Sequence, residues 1–157
     1  MKKHNIHSIR KKKWKAITNS KHNLPVAPNL LNQTFKSSIP NSVWVGDITY
    51  HWTDEGWLYT AIVKDLCTKE VVGHASDQRM TKELVIKALK MALNRTIQAK
   101  GLIFHSDRGS QYSSRDSSRD FRVLLEKHNI LQSMSNKGNP YDNAPAENFF
   151  SCLKCER

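Results

Sequence analysis

The stretch Val43–Trp52, VWVGDITYHW, decides how the rest of the chain reads. It is dense in β-branched and aromatic residues, which marks it as a strand. In the middle of it, between Val45 and Ile48, stands Asp47. A carboxylate inside a strand is costly unless something neutralises it. Asp47 is therefore either a bulge or turn-facing residue, or part of a site. Outward from it, TDEG (Thr53–Gly56) is a turn, Trp57–Leu66 reads as a second strand and Glu70–Ser76 as a third. Connections this short imply an antiparallel meander.

The period then changes. From Thr81, Leu84, Ala88 and Ala92 recur four apart, with Val85, Leu89 and Leu93 beside them at the same spacing. That predicts a helix with Thr81 as its N-cap. After Gly101, LIFHSD (Leu102–Asp107) is a fourth strand. A second helix carries Phe121, Leu124 and Leu125, and Ile130–Ser135 is a fifth strand. Residues 136–145 form a loop whose Pro145 fits the first turn of a final helix. The order β-β-β-α-β-α-β-α defines an α/β protein, a mixed sheet with helices on its faces.

Charge divides the chain. The net is +11, yet residues 1–46 hold nine Lys or Arg and no acid, while the remainder holds sixteen basic and fourteen acidic residues. This predicts a basic arm and linker over 1–40, with Arg10, Lys11, Lys12 and Lys13 at its densest, in front of a core over 41–157. A basic arm on a nearly neutral core points to a polyanion partner; a merely solvated tail is the alternative. No apolar run is long enough for a bilayer, and the basic N-terminus has no signal-type apolar region, so a soluble cytoplasmic protein is expected. Cys67, Cys152 and Cys155 form no disulfide framework, and the lone C-x-x-C lacks a second ligand pair for zinc.

Three acids occupy suggestive places. Asp47 lies in the first strand, Asp107 ends the fourth, where an open α/β sheet presents ligands, and Glu147 lies in the first turn of the last helix. Each alone has an ordinary reading, as a bulge residue, a turn former and a helix N-terminal charge. Together, with the first and fourth strands side by side, they form a carboxylate cluster. Such a cluster repels itself unless a divalent cation offsets the charge, and hard oxygen donors with open positions suit Mg²⁺ or Mn²⁺.

With VWVGDITY, TDEGWLY, GLIFHSDRGSQY and QSMSNKGNPYDNAPAENFF on the page, the sequence resembles the catalytic core of bacterial insertion-sequence transposases of the two-reading-frame type, within the retroviral-integrase-like superfamily. The resemblance runs from about residue 20 to the end. It implies a ribonuclease H-like fold, two Mg²⁺ ions (Mn²⁺ as substitute), cleavage and joining of transposon-end and target DNA, a homo-oligomer on that DNA, and a bacterial cytoplasm. It makes Asp47, Asp107 and Glu147 the catalytic and metal-binding acids. It also assigns a DNA-contacting role to Lys154, seven residues beyond Glu147 and so on the same helix face. Tyr112 and Asn143 fall in the motif loops, where they would support the site or touch DNA; ordinary turn chemistry is the alternative. His51 reads as a strand-end residue. His105 shares a strand face with Asp107 and reads as structural.

The tandem SSRDSSRD (Ser113–Asp120) then has an explanation. Asp107 and Glu147 are separated by 39 residues, and removing one SSRD leaves 35, the spacing of the family's D,D(35)E pattern. Each copy reads as a weak capping box, so two helix starts compete. The chain ends ten residues after Glu147, and the resemblance leads us to expect further helices there, with the arm as the stub of a DNA-binding region. Two other functions stay open at this point: a decayed DNA-binding fragment without turnover, and a ribonuclease H-type nuclease.

Overall fold

The computed structural model describes residues 26–113 and 119–155. Ten elements follow one another: β1 (Val43–Thr53), β2 (Gly56–Asp65), β3 (Val71–Asp77), α1 (Lys82–Arg95), β4 (Ile103–Ser106), α2 (Ser110–Ser113), α3 (Arg119–Lys127), β5 (Leu131–Met134), a 3-10 turn (Pro140–Asn143) and α4 (Ala144–Cys155). The five strands make one mixed sheet in the order β3-β2-β1-β4-β5. The first three strands are the antiparallel meander, and β4 and β5 add in parallel beyond β1. The strands lie where the sequence puts them, within a residue at most ends. The short α2 was not legible.

Alternation along β1 creates two faces. Trp44 and Ile48 join the larger core, in which Leu84, Val85, Ala88, Leu89 and Ala92 of α1 and Phe121 and Leu125 of α3 pack on Trp44, Ala61 and Phe104. The helical spacing read from the sequence is thus the packing stripe. Two glycines make this closeness possible. A Cβ on Gly73 would run into the α1 backbone at Ala88 and Ala92, and one on Gly46 would run into the Phe104 ring. Thr81 takes the N-cap position of α1 in an extended conformation, but its hydroxyl makes no capping bond. Of the two competing starts proposed for α3, most lies on residues 114–118, outside the described residues; the described helix opens at Arg119.

The opposite face is covered by α4 and by residues 26–35. Leu31, Val45, Leu66 and Ala146 form a second buried cluster, with Phe35, Val43 and Ile103 at its edge. Residues 26–40, grouped with the arm on composition, are pinned to the core by hydrogen bonds. Leu30 N–H donates to Ser133 Oγ at 2.9 Å, and Met134 N–H to the Pro28 carbonyl at 3.3 Å. Among the described residues, no helix is long and apolar enough to cross a membrane.

Candidate active site

The parallel pairing of β1 and β4 ends at Gly46 opposite Ser106. The next residue in each strand is an acid, Asp47 and Asp107. Both strands therefore deliver a carboxylate at the point where the sheet opens. Val45 and Asp47 face the α4 side, and Ala146 packs on Val45. This seats the first turn of α4 over the strand ends, with Glu147 one residue on.

The electrostatics show how near these acids are. Burial, reinforced first by the Asp107 charge and then by Glu147, pushes the Asp47 carboxyl up to about 8. Two hydrogen bonds oppose the rise: Ile48 N–H donates to Asp47 Oδ1 at 2.7 Å, and the Asn143 side chain donates to the same carboxylate. Glu147 is also raised, by burial and then by Asp107. Asp107 turns Oδ1 back to accept from Gly109 N–H at 2.9 Å. The Asp107 charge raises both of the other carboxyls, so the site is short of positive charge.

Among the described residues, no three carboxylate, imidazole or thiolate groups close tightly enough to hold one ion by themselves. The donor set nevertheless suits a hard divalent cation. All donors are oxygens, Asp47 and Asp107 come from adjacent strand ends, and positions they leave open would suit water or phosphate oxygens.

The other sequence-predicted residues separate into groups. Lys154 reaches the site side of α4: its ammonium sits 5.3 Å from the centre of the Tyr50 ring, where burial lowers its pKa and the Asp47 charge counters. Of the roles expected for Tyr112, burial leaves support from within. The residue is only 2% exposed and packs on Phe104 and Phe121 in the larger core, so it is a buried ring and not a surface DNA contact. Burial, then Asp47 and Asp107, push its phenol up. Asn143 is 5% exposed and likewise supports Asp47 from within; its Oδ1 is buried with no hydrogen-bond partner. Arg10, Lys11, Lys12 and Lys13 lie outside the described residues.

His105 is fully buried and structural in its bonding. Its Nε2 is 2.9 Å from the Asp142 carbonyl and its Nδ1 is 2.8 Å from Ser133 Oγ. With Nε2–H donating to the carbonyl, Nδ1 accepts from Ser133, whose oxygen accepts in turn from Leu30 N–H. Burial holds the imidazole neutral.

Asp142 was missed by sequence reasoning. Its carboxylate is buried and accepts from Asn136 N–H (2.8 Å), Asn139 Nδ2 (2.8 Å), Asn29 Nδ2 (2.9 Å) and Gln33 Nε2 (3.0 Å). It ties residues 29–33 and the loop at 136–139 to the turn that launches α4, five residues before Glu147. In the sequence it looks like one more turn aspartate.

The family profile described as Integrase core domain matches residues 37–140. An uncharacterised 31 kDa protein of insertion element IS600 from Shigella sonnei is 58% identical over 93% of this chain and 52% of its own length. Transposase InsF of insertion sequence IS3A from Escherichia coli K12 is 48% identical over 92% of this chain and 49% of its own length. The chain thus spans about half the length of the curated relatives it matches. In fold, it superposes on a chain of the simian T-cell lymphotropic virus intasome with a TM-score of 0.67 at 20% identity, covering 88% of this chain and 45% of that one. The HTLV-2 integrase catalytic core in complex with magnesium gives a TM-score of 0.60 at 17% identity, covering 76% and 70%. The mixed five-stranded sheet is therefore the ribonuclease H-like sheet of retroviral integrase cores, and the chain belongs to the integrase core domain family.

Proposed function

We propose that this chain is the catalytic core of a DNA transposase, cleaving a phosphodiester at an element's end and joining the freed 3′-hydroxyl to target DNA. The observation that carries the reading is the electrostatic coupling of Asp47, Asp107 and Glu147 at the sheet's open end. The naming of the InsF relative as a transposase supports the substrate class. Asp47 and Asp107 are the residues that would hold Mg²⁺, with Glu147 as the third acid; the ion, when bound, supplies charge neutralisation at phosphorus and a more acidic nucleophile.

The chain's own residues do the rest. The Asn143 amide fixes the Asp47 carboxylate, and its unpartnered Oδ1 can accept a hydrogen bond from a group entering the site. Lys154, on the Glu147 face of α4, places a cation where a DNA phosphate would sit. The basic residues in 1–25 would add sequence-independent affinity. Assembly of several copies on DNA, and the arm as the stub of an end-recognition region, are part of the same proposal.

The test is strand nicking and joining on supercoiled DNA with Mn²⁺, comparing the chain with Asp47→Asn, Asp107→Asn and Glu147→Gln. Activity lost in all three variants supports the reading. Activity that survives in any one of them overturns it. A folded, DNA-binding chain with no nicking would instead favour the decayed-fragment alternative.

A further inference from the structure

The open end of the β1–β4 pair carries the acids; a second charged feature lies on the other side of β1. Lys64 on β2 is paired with Val45 and so faces α4, where its ammonium lies 5.1 Å from the centre of the Phe149 ring. Lys69, in the turn between β2 and β3, joins it. Together with Leu66, Ala144, Pro145 and Asn148 they line a cleft of about 440 Å³ against the first turn of α4.

The cleft is built for an anion. Among the described residues, both ion pairs, Lys82–Asp120 and Lys87–Asp77, lie elsewhere, so no described carboxylate pairs with either lysine. Asp65, next to Lys64, is fully buried and engaged, accepting from Asn41 N–H and Thr68 N–H, and Glu70, next to Lys69, is exposed and makes no ion pair among the described residues. Lys69 is held in place because its ammonium donates to the Leu66 carbonyl at 2.6 Å. Burial, and then the facing Lys69 charge, make the Lys64 ammonium harder to keep protonated; a bound anion would relieve this. The first turn of α4 adds the positive end of its dipole.

We propose that the Lys64–Lys69–Asn148 cleft is a phosphate-binding site for the DNA backbone, across α4 from the acids. The inference rests on the DNA reading above. β2 and β4 flank β1 on opposite sides, and Glu147 and Asn148 are adjacent on α4. A strand crossing the first turn of α4 would therefore place one phosphate at the acids and a neighbouring one between the lysines. Backbone contacts of this kind fix the register of a duplex without reading its sequence.

The test uses the full chain, with Lys64→Gln, Lys69→Asn and the double variant; asparagine tolerates the left-handed backbone of Lys69 (φ 67°). Inorganic phosphate is titrated without divalent ions while backbone amide shifts are followed. A fluorescent duplex is titrated by anisotropy across a salt series. The site predicts phosphate-dependent shifts at residues 64–70 and 148 in the unmodified chain. It also predicts a slope of log affinity against log salt smaller by about 0.9 in the double variant, for the one phosphate held between the lysines. No localised shifts in the unmodified chain would overturn the site, whether or not the variants fold. Localised shifts with an unchanged slope would reduce it to a free-phosphate site and overturn the DNA assignment. A chain that takes up phosphate there but binds no duplex would sink the proposed function along with the DNA assignment, a result distinct from the other two.

Discussion

Removing the Asp142 carboxylate tests how α4 is anchored. In Asp142→Ala four donors lose their acceptor: Asn136 N–H, Asn139 Nδ2, Asn29 Nδ2 and Gln33 Nε2. A hydrogen bond to a charged group contributes about 1.5–3 kcal/mol, a neutral one about 0.5–1.5. Asn136 and Gln33 are exposed, so water replaces much of what their donors lose. About 1 kcal/mol for each bond is then a fair discount, giving a loss of about 3–4 kcal/mol. Against a total stability of about 5–15 kcal/mol this is large. For a chain of this size it lowers Tm by about 6–16 °C. The assay is thermal and urea unfolding of the two proteins, with a double-mutant cycle through Asn29→Ala. The carboxyl is held below its ordinary value by these bonds, although burial pulls the other way. Its stabilisation is therefore present above the unfolded value of 3.8 and lost as pH falls through the lower folded value. A Tm shift below about 2 °C, or full additivity with Asn29→Ala, would refute the anchoring role.

Asp47 carries the opposite linkage: its folded value is raised from 3.8 to about 8, so without divalent ions its contribution to stability falls as pH rises between these values, and Asp47→Asn flattens that slope in pH-dependent melting. Gly46→Ala drives a methyl into the Phe104 ring and costs about 1–3 kcal/mol by urea unfolding; Phe104→Leu in the same chain recovers part of it. His105→Ala cuts the link from Leu30 through Ser133 to the Asp142 carbonyl, and faster hydrogen exchange at residues 141–148 is the expected readout, with exchange confined to β4 as the contrary result. Because burial lowers the His105 pKa, the stability it confers is present above pH 6.5 and lost on acidification through its lower folded value, a dependence that His105→Gln should remove.

Much of the fold is legible in the residues themselves. Val43–Trp52 and Trp57–Leu66 announce strands by composition, and the Leu84/Ala88/Ala92 spacing is the face that α1 lays on Gly73. The acids were legible because a carboxylate between Val45 and Ile48 needs a reason. What the sequence hid is mostly polar and non-periodic. Residues 26–40 show no pattern, yet Leu31 fills a gap between Val45, Leu66 and Ala146. Asp142 sits in a run of turn formers, and only the fold brings Asn29 and Gln33 to it. Tyr112 read as a loop residue because its ring partners, Phe104 and Phe121, come from separate elements.

The most direct measurement of the central claim is anomalous diffraction from crystals of this chain soaked in Mn²⁺, with Glu147→Gln as the companion. The account predicts a Mn²⁺ peak between the Asp47 and Asp107 carboxylates with Glu147 oxygen drawn toward it, and a weakened peak in the variant. A peak elsewhere, or Asp47 and Asp107 turned to opposite faces of the sheet with no ion between them, would contradict it.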